Sequence, residues 1–233
     1  MTIDIITHKN LLITLLKKIY SDSSLAPYLG FKGGTAAMLF YNLSRFSVDL
    51  DFDLLDIKQE EHIFKAITEL LQQYGQVKSQ DKRYSLFFLL VYNNKAVGAQ
   101  NIKVEINKRT FGSHYEVKQY LGITLQVMVK EDMVAHKLVA MHERIGKANR
   151  DIFDVWFFLS NHWQVNKKII EERTHMSYKK FLQTCINDLE SMGSQSILAG
   201  IGELLNAKQK AWAKTHLIPE TIFLLKVALE HEN

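Results

Sequence analysis

Residues Phe31–Asp53 read FKGGTAAMLFYNLSRFSVDLDFD. The segment contains two different periods. Thr35–Leu43 carries helix-forming residues at apolar helical spacing, whereas Val48–Leu54 alternates apolar residues with Asp49, Asp51 and Asp53, as a half-buried strand does. Gly33-Gly34 punctuates the start of the helix. Leu29–Lys32 before it reads as a short strand, so the stretch is a strand–glycine turn–helix–strand unit.

Outward from this unit the pattern continues. Thr7–Tyr20 and Glu60–Tyr74 read as helices with one apolar stripe each, and Tyr84–Tyr92, Gln100–Asn107 and Ile123–Val129 read as strands. The order indicates an α+β fold with a mixed sheet. After about residue 118 the helical period takes over. Glu131–Arg144, Asp151–Asn161, Asn166–Arg173, Tyr178–Glu190, Ser196–Ala207 and Pro219–Glu230 all read as helices, with Pro219 suited to a first turn. The expected division is a sheet domain over 1–118 and a helical domain over 119–233.

Bulk properties narrow the class. The 233 residues are 47% hydrophobic and 23% charged, with two prolines and no repeat, so a folded core is expected and a long linker is not. A net charge of +4 permits nucleic acid as a partner without requiring it. Cys185 is the single cysteine, which excludes an intrachain disulfide and a cysteine-rich metal site. The N-terminus lacks a signal-peptide pattern, and no run approaches the roughly 20 apolar residues of a spanning helix. A soluble, cytoplasmic protein with no membrane partner is the expectation. The nine histidines are scattered without metal-ligand spacing, and Trp156, Phe157, Phe158 and Trp163 read as helix core.

The chemistry rests on few residues. Asp49 and Asp51 at i and i+2 share one face of a strand, and two carboxylates there repel unless a cation lies between them. Magnesium takes a few carboxylates plus phosphate oxygens. Alone, such a pair is more often the solvated side of an edge strand, and Asp53, further along, reads as solvated. Gly33 and Gly34 shift the balance: a glycine turn entering a helix offers amides and a dipole to a phosphate. Thr35 could cap that helix or reach the phosphate. The GxxxxGK[ST] spacing of a P-loop is absent. Glu105, between Val104 and Ile106, supplies a third acid on a neighbouring strand. Arg45 and Ser47 read as loop or nucleotide contacts, and Lys32 as a phosphate contact or a strand-end charge. Lys137, Met141 and Arg144 share a helix face, and Arg150 and Asp154 have i,i+4 spacing. The basic stretch from Lys167 to Lys180, broken by Glu171 and Glu172, is a solvated face or an RNA-facing one.

These blocks in this order resemble the polymerase-beta-like nucleotidyltransferase superfamily. GGT, SVDLDFDL and the downstream EDMVAHKLVAMHERIGKANRDIFDVWFFL together resemble the AbiEii/AbiGii toxin family of nucleotidyltransferases, over about residues 28–160. The resemblance implies that Gly33, Gly34 and Thr35 hold the triphosphate. It implies that Asp49 and Asp51 bind magnesium, or manganese in its place, and that Glu105 is the third acid and a candidate base. Lys137 would contact the nucleotide phosphates from the helical domain, and Asp154 or Asp151 would complete the cleft. The implied activity moves a nucleoside monophosphate from NTP to an acceptor hydroxyl, with RNA such as a tRNA 3′ end as acceptor and a cognate antitoxin as partner. A protein or small-molecule acceptor, or a non-catalytic nucleotide-binding module on the same scaffold, are the competing expectations.

Overall fold

The computed structural model describes residues 4–94, 98–192 and 197–232. In chain order the elements are α1 (Ile5–Ser21), β1 (Leu29–Lys32), α2 (Gly33–Tyr41), β2 (Leu50–Leu54), α3 (Glu60–Gln72), β3 (Gln76–Lys82), β4 (Ser85–Asn94), β5 (Gly98–Asn107), β6 (Tyr115–Tyr120) and β7 (Ile123–Met128). Helices α4 (Lys130–Arg144), α5 (Arg150–Ser160), α6 (Lys167–Thr174), α7 (Tyr178–Ser191), α8 (Ala207–Trp212) and α9 (Ile218–Glu230) follow.

The chain forms two compact units. The first comprises Met1–Asn42, Phe46–Thr110 and His114–Met128. It contains a seven-stranded mixed sheet in the order β3-β4-β5-β2-β1-β7-β6. Strand β2 runs antiparallel to β1 and parallel to β5, and β1 runs parallel to β7. The alternation read in the sequence sets the faces: Leu50, Phe52, Val104 and Ile106 are all fully buried, which leaves Asp51 and Glu105 on the opposite face. α1 packs against β7, and α3 against β3 and β4, burying Leu12, Leu15, Leu16, Ile19, Ile63, Ile67 and Leu71.

The second unit comprises Leu43–Arg45, Phe111–Ser113 and Val129–Asn233. Its core joins Met133, Val134, Leu138 and Val139 of α4 to Ile152, Phe153, Val155 and Phe158 of α5. α7 packs on α9 and contributes Phe181, Leu182 and Ile186. Of the aromatic cluster expected in the core, Phe158 is buried, whereas Trp156, Phe157 and Trp163 are half-buried. Phe157 and Trp163 pack on each other and on Phe158, which stacks with Trp163 at 4.5 Å, while Trp156 packs on Phe153 and Trp212.

Helix ends fall within about two residues of the sequence reading, with Pro219 in the first turn of α9. Two strands are additional: β3 and β6 are edge strands with mostly exposed side chains, so neither shows an apolar period. The expected helix over Ser196–Ala207 does not form in the described part: Gly202–Leu204 is a single 3-10 turn and α8 starts at Ala207. Gly200 there has φ +68, which breaks a right-handed helix. Ser196 lies outside the described residues.

Candidate active site

The glycine turn is built against the acids. Gly33 has φ +78, and a Cβ at this position would stand 2.5 Å from Asp51 Oδ2. Both facts demand glycine: the backbone is left-handed, and the Asp51 carboxylate fills the space a side chain would take. Gly33 and Gly34 open α2, which has no side-chain N-cap and no acid in its first turn. Its leading amides therefore have no side-chain acceptor at the cap, next to a carboxylate cluster.

Strand pairing sets the acids side by side. Asp51 is the register partner of Lys32 on β1 and of Glu105 on β5. Asp49 does not lie on the strand as expected; β2 begins at Leu50. The Asp49 backbone is instead held by other groups. Thr35 Oγ1 donates to the Asp49 carbonyl at 2.5 Å and lies 2.9 Å from Ser47 Oγ. His8 Nε2 is 3.0 Å from the Val48 carbonyl and Nδ1 is 2.9 Å from the Tyr92 hydroxyl. A carbonyl can only accept, so Nε2 carries the proton and Nδ1 accepts from Tyr92. Burial lowers the His8 pKa, more than the Val48 carbonyl and Asp49 raise it, so the ring is neutral at pH 7.

All three acids converge on one cation. Lys103 Nζ is 3.0 Å from Glu105 Oε2, 3.4 Å from Asp51 Oδ1 and 3.8 Å from Asp49 Oδ2. Burial opposes the charge on Lys103, yet Asp51, Asp49 and Glu105 outweigh it and hold the pKa above the ordinary lysine value. Among the described residues no group of three or more His, Cys, Asp or Glu is arranged as a ready metal cage. The acids are spread around the ammonium instead. Their chemistry still suits a hard divalent cation: all donors are carboxylate oxygens, and the shared neighbour is a positive charge.

Several residues expected at the nucleotide are engaged elsewhere. Thr35 is 1% exposed and Ser47 6%, so both hydroxyls brace the Asp49 segment. Lys32 Nζ sits 2.5 Å from Asp53 Oδ1. Asp53, expected to be solvated, is 7% exposed and also accepts from Asn107 and the Tyr115 hydroxyl. Burial would raise its pKa, but Lys32, Tyr115 and Asn107 lower it below the ordinary carboxylate value.

Arg45 belongs to the second unit and makes a two-pronged pair with Asp154, through Nε at 2.6 Å and Nη2 at 2.7 Å. It is 3% exposed, with its guanidinium engaged by Asp154. Lys137 Nζ lies 2.8 Å from both Asp151 Oδ1 and Asp154 Oδ2, and Arg144 Nη2 lies 2.7 Å from Asp151 Oδ2 as an ion pair. Both carboxylates are fully buried. Burial acts against the charges of Lys137 and Asp154, but their partners prevail: Lys137 is raised and Asp154 lowered. Asp154 is thus an anchor for Arg45 and Lys137, from an earlier loop and from α4, beyond its i,i+4 neighbour Arg150.

Lys103, His8, Asn107 and Tyr115 escaped the sequence reading. Lys103 had a signal, since it shares the Glu105 face by i,i+2 spacing. The other three are brought in by tertiary contacts alone.

The sequence and the fold both match known proteins. The sequence model of the AbiEii nucleotidyl transferase toxin family, of type IV toxin–antitoxin systems, matches residues 14–216. JHP933 of Helicobacter pylori superposes with a TM-score of 0.59 at 20% identity, covering 100% of this chain and 96% of that one. MenT4, a nucleotidyltransferase toxin of Mycobacterium tuberculosis, superposes with a TM-score of 0.60 at 19% identity, covering 92% of this chain and 82% of that one. Among curated proteins none matches the sequence.

Proposed function

The chain belongs to the AbiEii nucleotidyl transferase toxin family, and from that premise we propose that it moves a nucleoside monophosphate from NTP to an RNA hydroxyl, a tRNA 3′ end, with magnesium or manganese at Asp49, Asp51 and Glu105. The observation that carries this reading is the convergence of those three carboxylates on one cation position, with Gly33 pressed against Asp51.

A divalent ion there supplies positive charge to the triphosphate and to the attacking oxygen. The protein's own groups do the rest. The leading amides of α2 at Gly33 and Gly34 hold a phosphate oxygen. Glu105, the most exposed of the three acids at 35%, accepts the proton of the acceptor hydroxyl. Thr35, Ser47 and His8 hold Asp49 in place from behind and do not touch the nucleotide. Lys137 is held by Asp151 and Asp154 within the helical unit. A cognate antitoxin is the proposed protein partner. No described helix is long and apolar enough to cross a membrane.

The test is incorporation of each radiolabelled NTP into total RNA with magnesium, read by gel and by mass spectrometry of protein and small-molecule products. Labelled tRNA is expected, and Asp49→Ala with Asp51→Ala is expected to abolish it. Label on protein or small molecules alone would redirect the acceptor; activity surviving the double substitution would sink the site.

A further inference from the structure

Lys103 lies within salt-bridge reach of all three acids. It stands two residues before Glu105 on β5, on the same face, and one residue before the Leu50–Val104 register pair, alongside Asp49. Its ammonium lies 3.0–3.8 Å from the three carboxylates, in the space between them. Magnesium binds carboxylate oxygens at about 2.0–2.1 Å. An ion drawing in the same oxygens would therefore sit where the ammonium is, and two cations in one space repel. The lysine head is carried on a flexible four-carbon stem and its side chain is 24% exposed, so it has a way out toward solvent.

We propose that Lys103 is a built-in competitor for the divalent cation: its ammonium holds the three carboxylates together without metal and swings away when a metal ion seats on them. The protein thereby keeps the acids ordered before the ion arrives, and metal affinity is set against an internal ion pair. Once displaced, the ammonium is a mobile positive charge beside the acids. The inference rests on the reading of Asp49, Asp51 and Glu105 as the metal ligands.

The test measures Mn2+ binding by electron paramagnetic resonance of the free ion, without nucleotide, on the whole chain. Wild type, Lys103→Met, Lys103→Arg and Asp49→Asn/Asp51→Asn are compared. Methionine keeps the stem and removes the charge; arginine keeps the charge. Lys103→Met is expected to bind Mn2+ at least about tenfold more tightly than wild type, a difference of about 1.4 kcal/mol. Lys103→Arg is expected to stay near wild type and the double acid variant to lose the ion. Thermal melts give a second reading should Lys103→Met be unstable without metal: Mn2+ is expected to raise its melting temperature more than it raises that of wild type. Equal or weaker binding by Lys103→Met, with the double acid variant still losing the ion, overturns the competitor and leaves the metal site standing. Mn2+ binding unaffected by the double acid substitution, or absent from wild type and Lys103→Met alike, overturns both.

Discussion

Gly33 couples backbone and chemistry at a single residue. Its φ of +78 is strained for any other residue, and an added Cβ would be driven into Asp51. Gly33→Ala should therefore displace Asp51 rather than unfold the sheet. Misplacing a reacting group by about an ångström costs on the order of 100-fold in rate, so turnover should fall at least that far. The melting temperature should drop only by what about 1 kcal/mol of backbone strain accounts for. Nucleotide incorporation and a thermal melt on one preparation check both. The Arg45–Asp154 pair makes the opposite case: it is deeply buried and remote from solvent, so its loss registers in stability. Removing one member of a buried pair costs about 3–5 kcal/mol. Arg45→Met should lower stability by that order in a urea titration, while Arg45→Lys recovers only part, because an ammonium cannot supply two parallel donors.

Among the elements, the entry to β2 is held by side chains from helices. Thr35 of α2 and His8 of α1 both bond to the Val48–Asp49 backbone, so Asp49 is positioned from two sides although it precedes the strand. Thr35→Val keeps the shape but removes the hydroxyl that donates to the half-buried Asp49 carbonyl, at a cost of about 1 kcal/mol. The same change should weaken metal binding, read by calorimetry with Mn2+, because Asp49 loosens. His8 adds pH dependence. Its folded pKa lies below the ordinary 6.5, so between these values the unfolded chain takes up a proton the folded chain does not. The stability is full above about pH 6.5 and drains as pH falls toward the folded value. Melting temperatures of wild type should fall between pH 7 and pH 5, and His8→Phe should flatten that slope.

For the whole molecule, two buried carboxylates in two different units are kept ionised by their partners. Asp53 pairs with Lys32 in the sheet unit, and Asp154 with Arg45 and Lys137 in the helical unit. Their folded pKa values lie below the ordinary 3.8. The stability they confer is present above that value and lost as pH falls through the folded ones. Acid unfolding should set in below about pH 4 in both units. Asp154→Asn should lower stability at pH 7 and make the acid limb of the helical unit shallower. Circular dichroism titrations from pH 7 to pH 2 would reveal it.

The sequence alone determined the strand–glycine turn–helix–strand unit, the chain order of the central elements, and the places of Gly33 at the start of α2, Asp51 on β2 and Glu105 on β5, whereas Asp49, read onto the strand, precedes it. Periodicity, glycine placement and carboxylate alternation are local properties, visible without a fold. The edge strands β3 and β6 were not legible, because their side chains face water and carry no apolar period. Tertiary structure alone decided which charges meet: Arg45 with Asp154, Lys32 with Asp53, Thr35 with the Asp49 carbonyl, and Lys103 with all three acids. Pairing depends on register and packing between segments distant in the chain, and those are settled only when the sheet and the helices have closed around their cores.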